Sequence, residues 1–216
     1  MAAAQARAEA TRQAIIAAAV RLFQEVGYGN TDMIDIIDRA EVTKGGFYYH
    51  FKTKEAVAAA IIEEADARTE DVYRRIETPS SVPALENLIQ ATFVAAYMTE
   101  HDDQVRVGNL LRQALTQVAH SQPETFTQRR AAFVAAVKQA IAEGDLSDDL
   151  EPEEVGNALW VSTLGARLMS DATGEDVFEQ LTRVWRVILA GVVAPESKIR
   201  YRRLVAKMSR EYGHTA

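Results

Sequence analysis

Between Thr43 and Lys54 the chain reads TKGGFYYHFKTK, and these residue types suit the holding of a phosphate backbone. Tyr48, Tyr49 and His50 offer hydroxyl and imidazole donors, while their aromatic bodies can pin a short helix to its neighbours. Lys54 adds a cation beside a helix N-terminus, an end that itself favours an anion. Gly45 and Gly46 stand in the first turn of a short helix, where each costs roughly 1 kcal/mol relative to alanine. A helix that accepts this cost needs close backbone approach to something, and a phosphate or base edge is the obvious partner. Thr43 and Lys44 lie at the end that meets base edges in helix-turn-helix docking, and Thr31 is the expected N-cap of the preceding helix and a further candidate DNA contact.

Other chemistry finds little support. There is no cysteine, which excludes disulfides and thiolate metal sites, and the four histidines (50, 101, 120 and 214) are scattered. No nucleophile–base pair is visible, so a non-enzyme without metal or cofactor is expected, a helical enzyme being the distant alternative. No stretch approaches the roughly 18 apolar residues of a membrane span. The N-terminus has no signal-peptide core, and the expectation is a cytoplasmic protein. The net charge of −7 argues against nucleic acid only at the level of the whole chain, because residues 1–55 carry equal numbers of acidic and basic side chains. Asp32, Asp35 and Asp38 recur at spacing three, a stripe that must point away from DNA or weaken its binding.

Helices must position these groups. Ile15, Ala18, Ala19, Leu22 and Val26 form a helical stripe that Gly27 terminates. A second helix follows Thr31 with Met33, Ile36, Ile37 and Ala40 inward, a third begins at Thr43, and a fourth runs from Thr53 towards Ile76. TPSSVP at 78–83 is the clearest break. Helical patterns then cover about 84–99, 104–119, 124–143, 153–171 and 175–193, before a basic helix, ESKIRYRRLVAKMSREY. No two-residue alternation persists, so no sheet is expected.

The predicted fold is all-α. A three-helix helix-turn-helix domain occupies 1–55, a linking helix 53–77, and a larger helical domain 78–216 serves ligand and dimer contacts. Phe93, Tyr97, Leu110, Phe126, Phe133 and Trp160 sit at helical spacings in that larger half, as core or as the lining of an effector pocket. The Trp160 N–H wants a partner, and Thr163 lies nearby in sequence. Arg106, Arg112 and Arg129 suit either an anionic ligand or surface salt bridges. Helices 153–171 and 175–193 are apolar over wider faces than one buried stripe needs.

GYGNT at 27–31, followed by IIDRAEVTKGGFYYHFKTKEAV, resembles the N-terminal signature of the TetR family of transcriptional regulators. The match covers about residues 12–60 and includes Leu22, Phe23, Thr31, Lys44, Phe47, Tyr48, His50 and Lys54. It departs at Glu41, where the family usually has a turn glycine, and at Ile37, where it usually has alanine. The resemblance implies a homodimeric repressor that binds a quasi-palindromic operator and is released by a small effector. It also implies that helices 153–171 and 175–193 form the dimer interface. EEVGNALWVSTLGARLMSDATG and VWRVILAGVVAP are similar to the gamma-butyrolactone receptor subgroup. That subgroup usually carries a pocket tryptophan where FTQRR places Arg129, which points to a different ligand or to the pseudo-receptors that answer antibiotic-like molecules. A lactone-like, furan or antibiotic-like effector is implied, with a DNA-binding regulator lacking small-molecule control as the alternative.

Overall fold

Apolar residues at three- and four-residue spacing fold the chain into helices throughout. The computed structural model describes residues 2–78, 81–119 and 123–213, the side chains of 2, 115–119 and 123–125 excepted. Ten helices occur among the described residues: α1 (Ala2–Glu25), α2 (Met33–Arg39), α3 (Lys44–His50), α4 (Lys54–Glu77), α5 (Ala84–His101), α6 (Asp103–Ala119), α7 (Pro123–Ala142), α8 (Pro152–Thr173), α9 (Val177–Val192) and α10 (Lys198–Gly213). The only β pairing among them is one isolated bridge, Leu146 with Val193. None of these helices is long and apolar enough to cross a membrane. Pro79 and Ser80 of the expected break, and residues 120–122 between α6 and α7, lie outside the described residues.

Compactness divides the chain into Met1–Arg68 with Thr99–Ser121, and Thr69–Met98 with Gln122–Ala216. The first unit has α1 to α3 and the start of α4 around Ile15, Ile36, Phe47 and Ile61, and α6 adds Val107 and Leu111 to that core. Gly108 lets α6 approach, because a Cβ there would stand 2.4 Å from the Ala65 Cβ and 3.3 Å from the Ile61 carbonyl oxygen. One turn on, Arg112 grips Asp66 through two hydrogen bonds of 2.6 and 3.1 Å. That arginine is buried, so the surface salt bridge expected for it is corrected to an interior pair.

In the second unit α7 and α8 meet at Gly156, where a Cβ would lie 2.7 Å from the Val134 Cα. Trp185 of α9 is fully buried and its Nε1 donates to Thr92 Oγ1 of α5 at 2.9 Å. The basic tail helix is docked along one face. Tyr201, Val205 and Met208 are buried along one face of α10, leaving Arg202, Arg203, Lys207 and Arg210 outward. Asp145 anchors it, accepting from Ser197 Oγ at 2.6 Å and from the Tyr201 hydroxyl. Burial, reinforced by the Asp145 carboxylate, pushes the Tyr201 hydroxyl far above its ordinary pKa, so it remains a donor.

Within the first unit the turn between α2 and α3 carries Glu41 at φ 54°, the one non-glycine residue with positive φ among those described. A side chain in this left-handed region costs about 1 kcal/mol or more. Glu41→Gly should therefore raise stability by about 1 kcal/mol, read as a higher urea midpoint at unchanged slope. An unchanged or lower midpoint would show that this turn is not strained.

Candidate nucleic-acid interface

The helix-turn-helix begins with a turn that the sequence places one residue early. Thr31 is fully buried and its Oγ1 donates to the Gly27 carbonyl at 2.9 Å, so its side chain is corrected from a cap and DNA contact to a strut of the α1–α2 turn. The N-cap is Asp32, whose backbone N–H donates to Asp35 Oδ2 at 2.8 Å. Two of the three aspartates thus serve the start of α2, where carboxylates also suit the helix dipole. Arg39 at the other end pairs with Glu25 through two bonds of 2.9 and 2.8 Å.

Thr43 caps α3, accepting from the Gly46 N–H at 3.0 Å. That explains Gly46, because a Cβ there would crowd Thr43 Oγ1 at 3.2 Å. Gly45 is different: a Cβ there would meet nothing within 4 Å, so this glycine leaves backbone open to solvent. Phe47 turns inward and is fully buried, holding α3 to the core. On the outer side, Tyr49 is 74% and Tyr48 40% exposed, with Lys44 exposed and His50 half-buried. The imidazole of His50 meets the Tyr49 ring edge-on at 4.9 Å. Among the described residues Lys44 makes no ion pair, whereas Lys52 folds back to donate to the Tyr48 carbonyl.

Lys54 is placed differently from the expected phosphate contact. Its Nζ donates to the carbonyls of Tyr28 and Thr31 at 2.9 and 2.8 Å, and lies 4.4 Å from the centre of the Tyr28 ring. Two of its three N–H donors are therefore spent on the α1–α2 turn. Next to it, Glu55 is held below the ordinary carboxylate range, first by its own backbone N–H and the Thr53 hydroxyl, with smaller help from the Tyr28 hydroxyl and the Lys54 charge.

The residues expected to line an effector pocket belong to both units. Leu110 is 44% exposed on α6, in the first unit. In the second unit, Phe93 stacks on Phe178 and on Tyr212 with ring centres 6.4 Å apart, and Tyr97 tilts against Tyr212 at 5.3 Å. Phe126 and Phe133 of α7 set their rings edge-on to Trp160 of α8 at 6.3 and 5.4 Å. Arg129 donates to Thr69 Oγ1 at 3.1 Å and covers the Tyr73 ring at 4.3 Å. Thr163 donates to the Trp160 carbonyl at 3.0 Å and does not serve the indole. Tyr212 was missed; the 201, 205, 208, 212 spacing in the tail is the signal that could have found it. Among the described residues no cluster of His, Asp or Glu is arranged to hold a metal ion.

A model of the tetR family of bacterial regulatory proteins matches residues 15–61. The chain is similar to the A-factor receptor protein of Streptomyces griseus, 28% identical over 193 residues, covering 88% of this chain and 67% of that one. Among solved structures it is similar to a gamma-butyrolactone receptor described as ArpA-like, with 30% identity, a TM-score of 0.80, and coverage of 95% of this chain and 99% of that one. The TetR family protein CprB of Streptomyces coelicolor, solved in complex with its biological operator sequence, shares 29% identity at a TM-score of 0.76, over 95% of this chain and 99% of that chain.

Proposed function

The chain belongs to the TetR family of bacterial regulatory proteins, and we propose that it is a dimeric, ligand-responsive repressor that binds operator DNA through α3. The observation that carries this reading is the outer face of α3. Two exposed tyrosines, an unpaired lysine and an open glycine backbone stand on a helix that Thr43 and Phe47 hold rigid. Tyrosine hydroxyls there supply phosphate donors, and Lys44 at the leading end reads base edges. Asp38 and Glu41, also exposed, repel phosphate nearby, so affinity depends on two reading heads and on low salt.

Dimerisation rests on α8 and α9. Val161, Leu168 and Met169 are exposed along one side of α8, and Val187 is 75% exposed on α9. Apolar surface of that kind is covered when two copies associate. A C₂ dimer presents its two α3 helices to successive major grooves of a quasi-palindromic site. An effector acts by binding one dimer conformation better than the other. The likeness to gamma-butyrolactone receptors favours a lactone, with furan or antibiotic-like molecules as alternatives. The reading assigns no catalytic step, and such a regulator works in the cytoplasm, where the chromosome is. A regulator without effector control draws support from Phe93 and Phe133, both fully buried and packed on other rings.

Fluorescence anisotropy with operator-like duplexes tests the reading. Wild-type protein should bind with an affinity that falls steeply with salt, and an alkyl γ-butyrolactone should release it. Lys44→Ala should change the ranking of operator variants by about 1–3 kcal/mol at the base pair it reads. A uniform loss across sequences would make Lys44 a backbone contact, and binding without sequence preference would remove the repressor reading.

A further inference from the structure

The cations of α10 divide by what they touch. The first two serve the fold: Lys198 Nζ donates to the Ala190 carbonyl at 3.3 Å, and Arg200 pairs with Glu86 at 2.8 Å. The next four, Arg202, Arg203, Lys207 and Arg210, are exposed. Among the described residues no acid pairs with Arg202, Arg203 or Arg210, and Lys207 meets only Glu211, at 3.6 Å. Arg203, Lys207 and Arg210 recur at four and three residues, so they share one face, with Arg202 beside them. Like charges at that spacing weaken a helix. A chain of net charge −7 has acids enough to neutralise the row, and it places them elsewhere, five of them exposed at Asp148, Asp149, Glu151, Glu153 and Glu154.

The row is also held ready. Tyr201, Val205 and Met208 bury the opposite side of α10, and the Tyr201 hydroxyl is bonded to Asp145. That side is therefore spent, and α10 has no apolar face left to insert into a lipid surface. A partner must recognise it by charge. From Arg203 to Arg210 the helix axis advances about 10 Å, while one strand of duplex DNA sets a phosphate about every 3.4 Å along its axis. Three of the four cations are arginines, whose fork matches a phosphate. The acidic run of a second copy is the rival occupant, but exposed pairs between folded proteins contribute little. DNA adds the release of its condensed counterions.

We propose that the outward face of α10 is a second DNA-backbone contact, which takes the phosphates of a duplex without reading its sequence. It gives an acidic protein sequence-independent hold on DNA, while α3 chooses the site. The inference goes beyond the operator reading and does not depend on it, because phosphates are alike in every sequence.

Fluorescence anisotropy of the intact chain with a short duplex of random sequence tests it. Wild type should bind with an affinity that falls steeply with salt. Arg203→Gln with Arg210→Gln should weaken that binding about tenfold at low salt and lower the slope of log affinity against log salt by about 2. The ranking of operator variants, which α3 sets, should stay as it was. Arg130→Gln with Lys138→Gln changes the net charge equally at exposed positions of α7 and should leave the wild-type slope. Equal losses from the two pairs would reduce the effect to net charge and overturn the assignment. A wild type that ignores the random duplex, or an α10 variant with unchanged affinity and slope, overturns it as well. Wild type without any operator ranking, together with an α10 variant that still loses the random duplex, sinks the operator reading and leaves this contact standing. Sedimentation at low salt without DNA covers the rival: self-association that the α10 variant loses while its DNA binding is unchanged gives the face to a second copy and overturns the proposal.

Discussion

Gly108→Ala is expected to destabilise the first unit by about 2 kcal/mol, although alanine is the better helix former. The new methyl would stand 2.4 Å from the Ala65 Cβ, far inside van der Waals contact, and 3.3 Å from the Ile61 carbonyl oxygen. Neither obstacle is the free end of a flexible side chain, so α6 must move away from α4. That movement pulls Val107 and Leu111 out of the core that also holds Ile15, Phe47 and Ile61. It also strains the buried Arg112–Asp66 pair one turn along, where separating the partners leaves a charge uncompensated. The gain in helix propensity, about 1 kcal/mol, offsets only part of this. Denaturant unfolding followed by circular dichroism measures the loss, and operator affinity should fall with it because the same core supports α3. Ala65→Gly in the Gly108→Ala background removes the first clash and should recover most of the stability. A double variant as unstable as the single one would show that the two helices are not in contact at this crossing.

How much of this was legible in the sequence follows from where each signal lies. The helices could be read because their apolar spacing is local, and the TetR resemblance because Phe47, Tyr48, His50 and Phe51 fall within five consecutive residues. What stayed hidden depends on long-range packing. Asp32 and Asp35 read as an acidic stripe, while in the fold one caps α2 and the other receives its backbone N–H. Gly108 reads as a weak point in a helix, and only the nearness of Ala65, 43 positions earlier, gives it a purpose. The second glycine of α3 gave a partial reading: both positions pointed to close approach, but Gly46 answers to Thr43 and only Gly45 is left open. The tail shows its charge before its docking face. Its basic residues are conspicuous, whereas Tyr201, Val205 and Met208, which dock it, are spread one to a turn among them.

Lys54→Met should lower the melting temperature by roughly 4–8 °C, the equivalent of about 2 kcal/mol in a chain of this size. Methionine matches most of the stem but cannot donate to the carbonyls of Tyr28 and Thr31, both of which the ammonium holds within 2.9 Å. Thr31 is fully buried, so its carbonyl has little access to water once the lysine is gone, and an orphaned acceptor costs about 1–3 kcal/mol. The attraction between the ammonium and the Tyr28 ring is lost as well. Because this turn leads directly into α2, and α2 supports α3, DNA affinity should also fall, for every operator sequence alike. A phosphate contact predicts the same uniform loss, so affinity cannot separate the two roles. Salt dependence can. Removing one phosphate contact lowers the slope of log affinity against log salt by about 1, whereas removing an internal pin leaves it as it was. Measured together, an unchanged slope with a lowered melting temperature assigns Lys54 to the α1–α2 turn. A flattened slope with an unchanged melting temperature would return it to the phosphate backbone and leave the turn to the Thr31 hydroxyl and the Asn30 amide.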